Sequence, residues 1–416
     1  MTIMNTQVKG GGVQPTGTIS IPNNGTYNVS SYEYANVQVP TSNITRFGSD
    51  IRAFLGEIDA NGILQKPTTP QVDLVFTGVK GFTSYSATMG VLFRRFQNLE
   101  TIKSASFPDL QTINTAYAMT NAFYCCTSLT SVDMGSVTSI TGQQALASTF
   151  YGCTSLTSVD MGSVTSINAT NAINQCFYGC TALTNVDLHS LTYLSGGSSI
   201  FYGTTALESL DLSALTNFYK GSNIFENSGI RSINLKNLTS ISGEGNYGVA
   251  GVFKGCSRLE KIKFESLNKI GNNGNWLPGQ LFGQCTSLTE IAFYAVNNAT
   301  FTNTNNSCFE VWLTGCTGVT VRFPMRVQTK LSSFSNITNG LGGTNTTVLF
   351  DIVTTIIGAN STSFNRKEAE STATAIAWTS GNTLYYTAGT TEPAVGDTIY
   401  SDAACTTAVT TVASLT

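Results

Sequence analysis

Histidine is almost missing from this chain of 416 residues, and charge is scarce. His189 is the single imidazole, and Asp, Glu, Lys and Arg together make up 11%. Chemistry that rests on imidazole as a base or metal ligand has almost nothing to draw on. The formal net charge is −3, so no basic field exists to attract nucleic acid or anionic lipid. No nucleic-acid partner is expected. Long apolar runs are missing too. The most apolar late stretch, Val348 to Ile357, is broken by Asp351, Thr354 and Thr355. It falls far short of the roughly 20 apolar residues that cross a bilayer, so no membrane insertion is expected. The opening decapeptide, Met1-Thr-Ile-Met-Asn-Thr-Gln-Val-Lys-Gly10, has no apolar core behind a basic head and does not read as a secretory signal.

Catalytic motifs are absent in the same way. There is no Gly-x-Ser-x-Gly elbow, His-Glu-x-x-His, phosphate loop or dinucleotide-binding glycine pattern. No cysteine pairs have zinc spacing; Cys176 and Cys180 come nearest. Carboxylates do recur, but nothing around them points to environments that split their pKa values. The expectation is a protein that is not an enzyme and uses no cofactor.

What is present is repetition. A phrase Phe-Tyr-Gly-Cys-Thr-x-Leu-Thr-x-Val-Asp starts at Phe123, Phe150 and Phe177, and in weaker form at Phe201, Phe225, Phe253 and Phe282. Successive starts are 27, 27, 24, 24, 28 and 29 residues apart. Self-similarity at such a period marks a solenoid, a fold that displays a long surface. In Leu156-Thr-Ser-Val159-Asp160-Met161 the apolar residues alternate, as in a short strand with one face inward. Val164 and Ile167 follow, then a stretch of Gly, Ser, Asn and Ala, then the next Phe and Cys. One repeat makes one turn of the coil, and only stacking on its neighbours buries its apolar face.

The ten cysteines fit this reading better than a disulfide framework. Cys126, Cys153, Cys180, Cys256, Cys285 and Cys316 share one repeat position, which Thr204 and Ser228 fill in two other repeats. Disulfide partners are not replaced singly by Thr or Ser, so a buried column of small residues is expected. Cys125, Cys176, Cys308 and Cys405 lie off the column and read as ordinary buried thiols.

The fold class expected is mainly β, with short helical or irregular segments: a repeat solenoid flanked by small β modules. Residues 1–45 form an N-terminal β module, with Ile19 and Ile21 facing Tyr27 and Val29 across an Asn24-Gly25 hairpin and a third strand at Val37 and Val39. Residues 46–90 cap the solenoid. The solenoid spans 91–325; its degenerate first repeat buries Phe96, Leu99, Ile102 and Phe107. Residues 326–370 form a C-terminal cap or linker, with Leu349 to Ile357 a strand or short helix over the last rung. Residues 371–416 form a small terminal β module, with strands near Ala375 to Trp378, Leu384 to Thr387 and Thr398 to Tyr400.

Phe150-Tyr-Gly-Cys-Thr-Ser-Leu156 and Phe177-Tyr-Gly-Cys-Thr-Ala-Leu183, each followed by Val-x-Met or Val-x-Leu, resemble the BspA-type branch of the leucine-rich repeat family. That resemblance implies a fold more than a function. Pro15 to Tyr32 with Ala35-Asn-Val-Gln-Val-Pro40 resembles a short β module found near the ends of bacteriophage tail and other virion proteins. Ala394-Val-Gly-Asp-Thr-Ile-Tyr-Ser-Asp-Ala403 is similar to C-terminal β segments of such proteins. This implies a tail-associated virion protein, assembled in host cytoplasm and released by lysis. Its N-terminal module would dock to other virion proteins, and its repeats would meet a glycan or protein of the host cell surface. Such appendages are homo-oligomers. A bacterial surface adhesin of the BspA type and a capsid decoration or head-fibre protein are the alternatives.

Two files of residues are candidate binding positions. Asp133, Asp160, Asp187 and Asp211 follow the inward Val or Leu of successive repeats, about 4.8 Å apart. Such a file can hold a divalent cation or face a cationic partner, or be a solvated face bonded to nearby Ser and Thr. His189 lies two residues beyond Asp187. Tyr124, Tyr151, Tyr178 and Tyr202 each follow the buried Phe. Tyrosines in a row can stack on sugar rings or on one another.

Overall fold

The computed structural model describes residues 18–20, 36–38, 72–76, 98–100, 102–219, 221–242, 250–270, 279–297, 300, 311–332, 341–352, 355–358, 363–372, 375–378, 382–386, 397–400 and 408–415. Each repeat is one coil with two short strands. Ser158–Asp160 shows how the sequence sets the first of them. Val159 is fully buried while Ser158 and Asp160 face outward, the period of two that a half-buried strand requires. The chain turns at Met161 and Val164, enters Ser166–Asn168 with Ile167 inward, and returns along an outer wall.

The first strands stack in parallel. One sheet runs Thr18–Ser20, Asn36–Gln38, Val72–Val75, Ile102–Ser106, Ser131–Asp133, Ser158–Asp160 and Asn185–Asp187. Ser209–Asp211 then pairs with Ser232–Asn234, and Lys261–Phe264, Glu290–Phe293, Thr320–Pro324 and Thr347–Ile352 close the file. The second strands make their own parallel sheet from Thr112–Ile113 to Lys269–Ile270. Identical repeat positions meet: Asp133, Asp160 and Asp187 are register partners, as are Ile140, Ile167 and Leu194.

The outer wall explains the stretch rich in Gly, Ser, Asn and Gln. Every fourth residue has positive φ: Tyr117, Asn121 and Cys125; then Gln144, Ser148 and Gly152; then Asn171, Gln175 and Gly179. The wall is a run of tight turns, and its N–H groups alternate in direction. From Gln144 to Cys153, odd-numbered residues bond three residues back, as Ala147 does to Gln144 (3.1 Å). Even-numbered ones bond the next coil, as Phe150 does to the Cys176 carbonyl (2.9 Å) and Gly152 to Tyr178 (2.7 Å). A left-handed residue other than Gly costs about 1–2 kcal/mol, and the complete pairing of this backbone offsets that strain. At Gly152 the φ of 68° and the Cys125 sulfur, 2.9 Å from where a Cβ would sit, both favour glycine.

The core is a set of columns along the coil axis. Seven phenylalanines stack without interruption, Phe123, Phe150, Phe177, Phe201, Phe225, Phe253 and Phe282, with centroids 5.2–5.8 Å apart. Each such contact adds about 0.5–1.5 kcal/mol beyond burial. A second column, under the first strands, holds Phe76 and Phe107, then Met134, Met161, Leu188, Leu212 and Leu235, then Phe264, Phe293 and Phe323, all buried. Leu99, Ile102 and Phe107 of the degenerate first repeat are fully buried too, while Phe96 lies outside the described residues.

The ends differ from the expectation in two ways. Thr18–Ser20 lies parallel and directly adjacent to Asn36–Gln38, which pairs in turn with Val72–Val75. These segments therefore extend the solenoid's own sheet; the expected Asn24-Gly25 hairpin, with Tyr27 and Val29, lies outside the described residues. At the other end Thr347–Ile352 is a strand of the first file. The terminal β structure begins at Thr355: Thr355–Gly358, Ser363–Thr372, Ala375–Trp378, Asn382–Tyr386, Thr398–Tyr400 and Ala408–Leu415 form a closed antiparallel barrel. Closure joins the first of these strands to the last and leaves no edge. A short helical segment spans Met325–Val327 and Gln328–Ser332. Among the described residues no helix is long and apolar enough to cross a membrane.

Candidate binding surfaces

The first-file strands present two outward rows over the buried Val or Leu. One row reads Ser104, Ser131, Ser158 and Asn185, and the other Ser106, Asp133, Asp160 and Asp187, continuing to Asp211. Between them lies a shallow open trough of about 330 Å³. The carboxylates are not idle. One oxygen of each accepts the backbone N–H two residues on: Gly135 on Asp133 (2.7 Å), Gly162 on Asp160 (3.0 Å), His189 on Asp187 (3.3 Å) and Ser213 on Asp211 (2.9 Å). Asp ends each strand by closing such a turn, a role for which its short side chain suits it. Ser106 also donates to Asp133 (3.0 Å). Among the described residues no group of three or more His, Cys, Asp or Glu is placed to hold a metal ion.

His189 joins this file. Its Nδ1 lies 2.6 Å from Asp187 Oδ1. That hydrogen bond raises the imidazole pKa above its ordinary 6.5, with further help from the charges of Asp187, Asp211 and Asp160. The same bond lowers Asp187 below its ordinary 3.8.

The tyrosines form a stack in the outer wall. Tyr124, Tyr151, Tyr178 and Tyr202 have centroids 4.8, 4.6 and 4.4 Å apart and planes within 8° of parallel. Asn227 donates to the Tyr202 hydroxyl (3.0 Å). Ring faces in the stack are occupied by neighbouring rings, so the row offers edges and hydroxyls to a ligand rather than open faces. Partial burial, and then the neighbouring Tyr202 and Tyr151, raise the Tyr178 pKa above its ordinary 10.0.

The cysteine column contains free thiols: Cys126, Cys153, Cys180, Cys256, Cys285 and Cys316 are all buried and unbridged. Most of them do more than fill space. Cys153, Cys180, Cys256, Cys285 and Cys316 each aim Sγ at the carbonyl of the preceding coil's spine Phe, at 2.9–3.1 Å. A donor is therefore what this position holds. Thr204 donates to Phe201 (2.9 Å), and Ser228 sits 3.4 Å from Cys256 Sγ. Burial pushes the Cys180 and Cys256 thiols up to about 12, which keeps them protonated and unreactive. Off the column, Cys176 is buried and Cys125 only half-buried; Cys308 and Cys405 lie outside the described residues.

Two threonine ladders went unnoticed in the sequence. Thr130, Thr157 and Thr184 each donate to the carbonyl of the coil before (2.9–3.1 Å), as do Thr165, Thr192, Thr216 and Thr239 on the far side (2.8–3.0 Å). Their recurrence at the repeat spacing was the available signal.

Parallel coils with a shared Phe spine, inward Leu and Val at fixed offsets and an outward polar sheet define a leucine-rich-repeat solenoid. Residues 91–173, 120–248, 148–274 and 249–339 match the family described as BspA type leucine rich repeat region, and the chain belongs to that family. Solved structures of low similarity include the leucine-rich repeat protein of T. pallidum, 20% identical over 49% of this chain and 86% of that one, with a TM-score of 0.32. A leucine-rich repeat protein from Bacteroides ovatus is 17% identical, covering 80% and 91%, with a TM-score of 0.31. A leucine-rich cell surface protein from Faecalibacterium prausnitzii is 16% identical, covering 79% and 87%, with a TM-score of 0.23. No curated protein sequence matches the chain.

Proposed function

We propose that the chain is a non-enzymatic adhesion protein whose outer wall meets a glycan or protein of a host cell surface. The observation that carries this reading is the row Tyr124, Tyr151, Tyr178 and Tyr202: four aromatic edges held in register on a rigid coil. Tyr supplies contact area and a hydroxyl while losing little conformational entropy on binding. The row is tested by binding of the purified chain to intact cells and to isolated wall polysaccharides. Tyr151→Ala with Tyr178→Ala is expected to abolish binding while circular dichroism stays unchanged. Unchanged binding removes the row from the account.

We place the protein on a bacteriophage virion, in contact with other virion proteins. Support comes from the segments at Pro15 to Pro40 and Ala394 to Ala403, which resemble virion β modules. A bacterial cell-surface adhesin is the second reading, favoured by the family match, which spans 91–339 without either segment. Immunogold labelling separates them: gold on purified particles supports the first, and gold confined to the cell envelope supports the second.

A further inference from the structure

The first-file face is divided by charge along the coil axis. Residues 104–219 contain six Asp or Glu and no Lys or Arg, whereas residues 220–270 contain eight Lys or Arg and four Glu. On the face itself the second outward row reads Asp133, Asp160, Asp187 and Asp211, passes through Asn234, and becomes positive at Lys263, with Lys261 beside it on the same strand. Lys236 stands two residues beyond Asn234, the place His189 occupies beside Asp187.

Three ion pairs lie around the basic half: Arg231 with Glu260 (3.6 Å), Lys254 with Glu226 (3.0 Å) and Arg258 with Glu208 (2.6 Å). Lys236, Lys261 and Lys263 make no ion pair among the described residues, and neither do Asp133, Asp160 and Asp211. Glu290, beside Lys261 in the next strand, makes none with it. Lys236 and Lys261 are exposed, as are Asp133, Asp160 and Asp211. The carboxylates repel one another at a strand spacing of about 4.8 Å. The trough beside them is open and lined by small Ser and Asn side chains, with room for long ones.

We propose that this face docks a second copy of the chain, antiparallel and about a two-fold axis. The carboxylate half of each protomer then meets the lysine half of its partner. A two-fold contact uses the complementarity twice, because each surface supplies both signs. Parallel stacking sets like charge on like and is disfavoured. The tyrosine row belongs to the outer wall, so a dimer carries two such rows, and surface binding by either gains from the other.

Mass photometry and sedimentation of the full chain test this. A dimer is expected at low ionic strength, giving way to monomer when salt shortens the Debye length from about 30 Å to about 3 Å. Lys261→Glu with Lys263→Glu reverses the charge of the strand that carries most of the basic half and is expected to weaken self-association at least tenfold, on the order of the cost of like-charge contacts. Ser158→Lys with Asn185→Lys places cations in the acidic half, leaves every Asp turn intact, and is expected to weaken it as well. An equimolar mixture of the two variants is expected to dimerise, because each contact again joins acid to base. A monomer under all conditions overturns the proposal. So does a dimer of the Lys261→Glu, Lys263→Glu variant alone, or a mixture no more associated than its components. A monomer that instead binds a soluble lysine homopolymer through the acidic half also overturns it and assigns the face to a cationic partner. None of these substitutions touches the tyrosine row, so this test and that of the adhesive surface fail separately.

Discussion

The coils from Phe123 to Asp211 and those from Phe225 to Pro324 share one Phe spine and one donor column, yet their outsides use different chemistry. In the first set the row beside the spine is a stack of tyrosines; in the second it continues as Glu226 and Lys254, an ion pair at 3.0 Å. The position that carries Thr130, Thr157 and Thr184 holds Glu208 in the last coil of the first set and Arg231 and Glu260 in the second, where Arg231 pairs with Glu260 before Thr289 restores the hydroxyl. Beneath the strands, Met134, Met161 and Leu188 give way to Phe264, Phe293 and Phe323. The requirement common to both sets is inward: a ring in the spine and a small donor-bearing residue beside it, which in five coils is a Cys reaching the preceding coil's carbonyl and in one is Thr204, bonded to Phe201 of its own coil. Outer rows need only pair with themselves from coil to coil, by stacking, hydroxyl ladder or salt bridge, and so are free to carry a binding function.

The comparison breaks first at the spine, if anywhere. Phe177→Ala and Phe253→Ala are each expected to cost about 3–5 kcal/mol in denaturant unfolding. A cost confined to one of them would mean that the two sets do not share a core. Next comes the donor column. Cys180→Ala removes one of the two donors on the Phe150 carbonyl, leaving the Cys153 N–H, and is expected to cost about 0.5–1.5 kcal/mol, whereas Cys180→Ser, which keeps a donor, should cost less. Equal losses would reduce the thiol to a space filler. The outer rows follow. Tyr178→Ala should cost about 0.5–1.5 kcal/mol with little salt dependence. Lys254→Ala should cost about 0.2–1 kcal/mol and lose its effect at high salt.

Smallest is the titrating pair Asp187 and His189. His189 has a raised pKa, so its contribution is complete below 6.5 and fades as pH climbs through the raised value; Asp187 has a lowered pKa, so its contribution is complete above 3.8 and fades below that. Melting curves should show wild type and His189→Ala differing most between those limits and converging in alkali. A gap that widens with rising pH would reverse the assignment.

The columns were legible because a solenoid repeats its inward positions at the coil period, so Phe150, Cys153 and Leu156 announce themselves by recurrence. Local direction was harder to read. Thr18–Ser20 pairs in parallel with Asn36–Gln38, a pairing between separated segments that local turn chemistry cannot specify. The left-handed positions at Gln144 and Ser148 were hidden because neither residue is a typical occupant of that region; stacking on the next coil holds them there. The turn that Asp160 closes at Gly162 was not read, because alternation reports which face a side chain takes and not which backbone group its oxygen meets. The start of the barrel at Thr355 was missed because its first strand closes on its last, Ala408–Leu415, far along the chain.

Spin-label distances along the outward row test the coil most directly, with labels introduced as unnatural amino acids so that the native thiols stay intact. Ser131 and Lys261 stand five coils apart, and Ser131 and Thr320 seven. At about 4.8 Å per coil the two distances should be about 24 and 34 Å, rising in step with coil number. Two distances that fail to grow with the number of intervening repeats would contradict a single stack of in-register coils.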